Sequence, residues 1–177
     1  MRPPFKAYDL RGRIPAEINV PFAYRFAGAT TKVLGPRAVV IGHDMRQDSP
    51  ALAEAIAQGF LDTGVDVLPV GMCGTEEVYF HTADSGADAG LMVTASHNPP
   101  DYNGIKMVLK GAAAATRDNA LAAIEDAVFS DGAATAVSNY AARGRLAATL
   151  DRSRYIERLL SQVSGRKLKP LKIVCHA

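Results

Sequence analysis

The sequence is poor in cysteine: Cys73 and Cys175 are the only two, and they lie far apart in 177 residues. Two thiols in a chain of ordinary composition read as reduced cysteines of a cytosolic protein, not as a disulfide framework. Cys73 reads as a small packing residue before a reactive one. No apolar stretch approaches ~18 residues, so no membrane span is expected. Met1-Arg2-Pro3-Pro4 leads into no apolar segment of the signal-peptide kind. These two absences point to the cytoplasm. Basic runs are missing as well, and the formal net charge is only +2. Long-range capture of nucleic acid or of a membrane surface is therefore not expected. There is no internal repeat, no Gly-x-Ser-x-Gly elbow and no Asp-x-Asp-x-Asp.

What is present is globular in character, 48% hydrophobic and 21% charged. The length suits one domain and part of another. Residues 1–18 are Pro-rich at first and then carry Tyr8-Asp9-Leu10-Arg11-Gly12. Gly12 allows a tight bend that would present Arg11 and Tyr8 to solvent. Asn19 is placed to cap a helix running to about Leu34, with Phe22, Phe26, Ala29 and Val33 at helical spacing and Gly35-Pro36 as its stop. Ala38–Gly42 is a continuous apolar strand, as in a parallel sheet covered on both faces. After a loop, Ser49 is expected to cap a helix with Pro50 in its first turn and Leu52, Ile56, Phe60 and Leu61 as its stripe. Val65–Val70 reads as a strand. Thr75 is expected to cap the next helix, where Glu76 and Glu77 complement the helix dipole. Ala89–Val93 and Ile105–Leu109 complete the strands. Strand–helix alternation of this kind predicts an α/β fold: a mostly parallel sheet with helices on both faces and an antiparallel edge strand, supplied by Ile105–Leu109.

Asp118 is expected to cap a helix carrying Leu121, Ile124 and Val128. Ser130 to Thr149 has linker composition. Asp151 then caps an amphipathic helix with Tyr155, Ile156, Leu159, Leu160 and Val163, which Gly165 ends. Leu171–Cys175 reads as a strand. The predicted organisation is a domain over 1–150 and the first helix and strand of a second α/β domain over 151–177.

The chemistry concentrates where Ala89–Val93 runs out into Thr94-Ala95-Ser96-His97-Asn98-Pro99, a common place for function on a rigid scaffold. Asn103-Gly104 is expected to supply the positive-φ residues that fold the chain back. If the flanking strands pair antiparallel, Lys106 returns close to Ser96, and a hydroxyl beside an ammonium suits a phosphate. On residue chemistry alone, Asn98-Pro99-Pro100-Asp101 is also simply a good turn. Arg11 is either a surface arginine or a bidentate phosphate contact. Arg46 is placed either to pair with Asp44 or Asp48, the structural role, or to meet a ligand at the helix N-terminus. Ser96 and His97, as sequence neighbours, look poorly placed to hydrogen-bond as nucleophile and base, which argues against a serine hydrolase.

Thr94-Ala95-Ser96-His97-Asn98-Pro99 resembles the phosphoserine loop of the α-D-phosphohexomutases, the family of phosphomannomutases and phosphoglucomutases. Three further stretches agree with that family in order and spacing. Phe5 to Gly12 resembles its N-terminal signature. Gly42-His43-Asp44-Met45-Arg46 resembles its Gly-x-Asp-x-Arg loop. Asn103-Gly104-Ile105-Lys106 resembles the Asn-Gly-x-Lys that follows the phosphoserine. Four matches in register over the first ~110 residues are hard to attribute to chance. Gly71 to Phe80 leans towards the bacterial phosphomannomutase branch.

The resemblance implies an enzyme, an isomerase that moves phosphate on a hexose phosphate through a phosphoserine and a bisphosphate intermediate. It implies Ser96 as phosphoryl carrier, with His97, Lys106 and Arg11 as catalytic groups. Tyr8, Arg11 and Asn98 would bind substrate. It implies Mg2+ held by the phosphate on Ser96 together with an Asp-Gly-Asp-Gly-Asp-Arg loop of a second domain, which this sequence does not contain. On that footing the chain reads as the N-terminal portion of a four-domain enzyme and as inactive alone. Mannose phosphate is favoured, with glucose phosphate as the alternative. A catalytically silent binding domain is the alternative of another class. The sequence leaves the oligomeric state open.

Overall fold

Val39, Val40 and Ile41 are buried in succession on one strand, so both faces of the sheet must be covered. The computed structural model, which describes residues 2–130, 142–167 and 169–175, shows how. Most of the stretch read as a linker, residues 131–141, lies outside the described residues, as do Met1, Leu168 and the last two positions.

The strands are β1 (Asp9–Arg13), β2 (Ala38–His43), β3 (Asp66–Met72), β4 (Ala89–Val93), β5 (Tyr102–Leu109) and the short β6 (Ala113–Ala114). Their order is β1-β5-β4-β2-β3, with β6 also on β5. β2 pairs parallel with β3 and β4, while β5 runs antiparallel to β4 and to β1. The mostly parallel α/β sheet with an antiparallel edge is thus observed. The residues that form that edge differ from the expectation, since β1 covers the far side of β5. Gly12 does not bend the chain. It lies inside extended β1, where a Cβ would stand 2.8 Å from Glu17 Cβ and 2.9 Å from Pro4 Cβ.

Helices α1 (Val20–Leu34), α2 (Ser49–Asp62) and α4 (Ala122–Val128) share one face of the sheet. Their Phe22, Phe26, Leu52, Ile56, Phe60 and Ile124 form one core with Ile41, Leu91, Ile105 and Leu121, which precedes α4. Helix α3 (Thr75–Ser85) covers the other face through Val78 against Val40, Val70 and Met92. Cys73 packs beside this second cluster. Burial first, then nearby Glu77, pushes its thiol pKa up to about 11, which suits a packing role.

Asn19 caps α1 as expected, its Oδ1 accepting from Phe22 N at 2.9 Å. Three other expected caps are displaced. Ser49 is already inside α2, and its hydroxyl is committed elsewhere; Asp48 precedes it without a side-chain bond. Gly74 precedes α3, and Glu77 accepts the Gly74 N–H at 3.2 Å. Thr116, not Asp118, opens the segment leading to α4, because Asn119 Oδ1 takes the Thr116 N–H at 2.8 Å. A single π-type turn over Arg117–Leu121 then enters α4.

Residues 144–149 have linker composition. They lie along the free side of β3, with Val67 N to Arg145 O and Ala147 N to Val67 O both at 2.9 Å. Arginines fasten this edge: Arg143 to Asp62 and Arg145 to Asp66 at 3.1 Å, Arg152 to Glu77 and Arg154 to Asp84 at 2.8 Å. Asp151 Oδ1 accepts from Ser153 N at 3.2 Å at the head of α5 (Ser153–Ser161). The helix ends before Gly165, and Ile156, Leu159 and Leu160 remain exposed. Leu171–Cys175 does not form the expected strand. A strand exists only by pairing, and no β-partner is found for these residues among the described ones.

Glu125 is a buried carboxylate of α4 held by Arg117 Nη1 at 2.5 Å and by the Arg2 guanidinium at 3.4 Å. Burial alone would raise its pKa, but the Arg117 bond and the Arg2 backbone N–H outweigh it, so the carboxyl is held below its usual value. A depressed carboxyl contributes stability above its unfolded pKa and loses it as pH falls through the folded pKa. Glu125→Gln should therefore cost about 1.5–3 kcal/mol near neutral pH. Urea titrations from neutral to acid pH should show the gap between wild type and variant closing as the carboxylate protonates.

Candidate active site

Parallel strands leave a sheet at the same end. Because β2 and β4 are parallel neighbours with His43 opposite Val93, the loops that follow them emerge side by side, the usual place for a ligand in an open α/β sheet. Asp44 N still bonds Val93 O at 3.0 Å, so the two loops start as one ladder.

The loop after β4 is tightly wound. Thr94 N bonds Gly104 O at 3.0 Å. Ser96 N donates to Thr94 Oγ1 at 2.9 Å. Asn98 sends both its backbone N–H, at 3.1 Å, and its side-chain amide, at 2.8 Å, to Ala95 O. Tyr102 N closes a turn on Pro99 O at 3.1 Å. Ser96 itself sits at φ 56°, a left-handed conformation that a residue with a Cβ adopts only when its surroundings impose it. The result is an exposed serine at the summit of a rigid turn.

Arg46, from the neighbouring loop, supplies the interior of that turn. Its Nη1 bonds Pro99 O at 2.8 Å and Tyr102 O at 3.0 Å. Its Nη2 bonds Ser96 O at 2.8 Å and Asn98 O at 2.5 Å. The Asp44 carboxylate lies 3.5 Å from Nε and accepts the Arg46 backbone N–H at 3.0 Å. Ser49 Oγ donates to Asp44 at 2.6 Å and accepts from Asn103 at 2.9 Å. The pairing of Arg46 with a local aspartate expected from sequence is present, but most of its donors serve backbone carbonyls.

Asn103-Gly104 does not make the turn. Both residues are inside β5, and Gly104 is not at positive φ. A Cβ on Gly104 would meet Leu10 O at 2.2 Å and Thr94 O at 2.8 Å, so glycine is required by close approach of three strands. Ser96 and Pro99–Tyr102 reverse the chain instead.

Ser96 Oγ and His97 Nδ1 lie 3.3 Å apart, both exposed. This corrects the expectation that sequence neighbours would be poorly placed: the left-handed Ser96 backbone swings the two side chains together. Lys106 and Arg11 meet at another carboxylate. Asp9 Oδ2 accepts from Arg11 Nε at 3.0 Å and from Lys106 Nζ at 3.2 Å. Asp9 and Lys106 are direct cross-strand partners.

Two hollows result. One, of about 330 Å3, is lined by Asp44, Met45, Arg46, Ser96, Asn98 and Pro100. The other, of about 250 Å3, is lined among others by Tyr8, Tyr79 and Lys106. Lys106 was expected to return to the Ser96 loop; it lines a separate hollow, on the side of Tyr79. Tyr8 is 72% exposed at its rim. A larger hollow, about 580 Å3 between α1 and α2 near Val20 and Tyr24, is away from these groups. Among the described residues no cluster of three or more His, Cys, Asp or Glu is placed to hold a metal ion.

Sequence reading did not assign Asp9, Ser49 or Asn103 to the site. Asp9 becomes visible only through the β1–β5 register. The Asp44-x-Arg46-x-x-Ser49 spacing was a signal, but it was read as a helix cap.

Residues 2–135 match the family model described as phosphoglucomutase/phosphomannomutase, alpha/beta/alpha domain I. The chain is 47% identical over 175 residues to a protein named phosphohexose mutases from Xanthomonas campestris pv. campestris strain B100, covering 99% of this chain and 38% of that protein. It is 45% identical over 173 residues to a phosphomannomutase of Salmonella typhimurium, covering 98% and 38% respectively. The crystal structure of a phosphoglucomutase/phosphomannomutase family protein from Burkholderia thailandensis superposes with a TM-score of 0.69 at 33% identity, over 89% of this chain and 35% of that one. The chain thus spans well under half the length of these relatives.

The buried bridge from Asn103 through Ser49 to Asp44 should be worth more to the site than to α2. Ser49→Ala leaves the Asp44 and Asn103 side chains each short of a partner, at a cost of about 1–3 kcal/mol. Urea unfolding should read that loss, while circular dichroism shows the helix content unchanged.

Proposed function

The chain belongs to the phosphoglucomutase/phosphomannomutase family, and we propose that it is the N-terminal part of a phosphomannomutase that interconverts mannose 6-phosphate and mannose 1-phosphate. One observation carries the reading: Ser96 is held at positive φ on a preformed turn, exposed, with His97 Nδ1 3.3 Å from its hydroxyl. A hydroxyl so placed is accessible to a phosphoryl group on one side and has a titratable nitrogen on the other.

In the proposed reaction Ser96 carries a phosphoryl group. The P–Oγ bond breaks as a hydroxyl of the hexose phosphate bonds to phosphorus, giving a hexose bisphosphate. The sugar hydroxyl gives up its proton, and Ser96 Oγ takes one; His97 is the nearest side chain to hold it. The bisphosphate then turns over and returns its other phosphoryl group to Ser96. Such transfers depend mostly on positioning and on charge stabilisation. Arg11 and Lys106, fixed by Asp9, offer two cations for the phosphate that is not reacting, and Lys106 remains a second candidate for proton transfer. Tyr8 offers an exposed ring to the sugar, and Asn98 orders the loop.

A magnesium ion would meet the phosphate on Ser96 in this scheme. The residues of this chain do not fit a complete site for it. Mg2+ demands octahedral oxygen coordination, usually with more than one anionic ligand, and Asp44, the carboxylate that lines the Ser96 hollow, is taken up by Ser49 and Arg46. No step is therefore assigned through the metal. Mannose phosphate is favoured because the Salmonella relative is named a phosphomannomutase; glucose phosphate is the alternative within the family. A cytoplasmic location follows from the same reading, and no helix among the described residues is long and apolar enough to cross a membrane.

In the full-length protein, Ser96→Ala should lower mannose phosphate turnover by on the order of 10³-fold or more while the fold persists. Intact mass should show a phosphoryl group on wild type and none on the variant. Near-wild-type turnover in Ser96→Ala would falsify the assignment and leave a binding domain as the better reading. The 177-residue chain alone should unfold cooperatively yet show no interconversion, as measured by coupled assay in a preparation free of host mutase.

A further inference from the structure

We propose that Arg46 is a positioning residue for the transfer step: it holds the Ser96 loop in its reactive shape through backbone carbonyls alone and does not touch substrate. The proposal rests on the reading of Ser96 as phosphoryl carrier. A guanidinium has five N–H donors, and here the four on Nη1 and Nη2 are hydrogen-bonded. Four bonds reach the carbonyls of Ser96, Asn98, Pro99 and Tyr102, and Nε faces Asp44. The side chain is 17% exposed. Its terminal N–H groups are committed to the loop, although it lines the same hollow as Ser96.

The loop needs this cation for a physical reason. Four carbonyl oxygens converge on one point, and without a positive charge among them they repel one another. Turning the carbonyls inward also turns the Ser96 side chain outward. The left-handed Ser96 backbone is unfavourable for a residue with a Cβ, so the outward pose must be imposed by its surroundings. Arg46 imposes it, and Asp44 fixes Arg46 from behind by accepting its backbone N–H and facing its Nε. Ser49 and Asn103 secure Asp44 in turn. Lysine cannot substitute, since an ammonium has three donors around one point and no planar fork.

Two measurements test this. In the 177-residue chain, Arg46→Lys should speed amide hydrogen exchange over residues 96–102 while leaving exchange in β2 and β3 as in wild type. In the full-length protein, Arg46→Ala should lower kcat about 100-fold with KM within about two-fold. Millimolar guanidinium should restore much of kcat, which relief of a general folding defect would not do. Unchanged exchange over 96–102 would overturn the proposal. So would a raised KM at constant kcat, which marks a substrate contact. If Arg46→Ala does not fold, the same kcat and KM comparison is read on Arg46→Lys. Failure of the mutase reading is distinguishable: Ser96→Ala would then keep turnover while the exchange result stood.

Discussion

Parallel pairing of β2 with β4 is the constraint on which the carboxyl end of this sheet depends. With His43 opposite Val93, the following loops have no choice but to leave together. The Asp44 N–H continues the ladder by one bond to Val93 O, so Arg46 enters the space under the next loop at a fixed height. Burial of Val39, Val40 and Ile41 on both faces keeps β2 central. The core therefore acts on the site at one remove. It fixes the register, the register fixes the loops, and the loops leave one serine in a conformation it would not choose alone.

Much of this was legible in the sequence, and what was not has a common cause. Apolar runs at Ala38–Gly42 and Ala89–Val93, and helical stripes from Phe22 and Leu52, were readable because burial depends on local pattern. The serine loop was readable because its residue types are unusual together. Hydrogen-bond partners were not. Ser49 fits a helix cap by local rules, yet its hydroxyl spans to Asp44 and Asn103, a contact that exists only when the start of β5 reaches the first turn of α2. Asn103-Gly104 has turn composition, but Gly104 is glycine because Leu10 O and Thr94 O close on it from both neighbours. Asp9 gained its place from the cross-strand register with Lys106. In each case a non-local neighbour overrode a sound local rule.

The stretch after residue 141 makes the same point for composition. Few large apolar residues suggested a free linker. Yet Arg143 and Arg145 within it meet Asp62 and Asp66, and Arg152 and Arg154 just beyond it meet Glu77 and Asp84. Exposed pairs of this kind contribute little singly. Their value here is direction: with the backbone bonds to Val67 and Pro69 they cover an otherwise open strand edge. They also deliver α5 beside α3, where Tyr155 meets the Phe80 ring at 5.5 Å.

The division of the candidate site into two hollows follows from sheet geometry and bears on chemistry. Ser96 and Arg46 stand over the ends of β2 and β4, whereas Lys106 shares its side of β5 with Tyr79 of α3. On the proposed reading, a hexose bisphosphate carries two phosphates that must be held apart and then exchanged. A single cationic cluster around Ser96 would grip both ends alike and resist their exchange. Here the cation nearest Ser96 is saturated by carbonyls, while the two cations tied to Asp9 retain partial exposure, 26% for Arg11 and 28% for Lys106. On that reading the serine hollow would host the transfer, and the neighbouring hollow would hold the phosphate that is not reacting. Grip on the phosphate that is not reacting becomes rate only where it tightens in the transition state or orients the sugar hydroxyl towards phosphorus, which is the condition for binding energy to be converted.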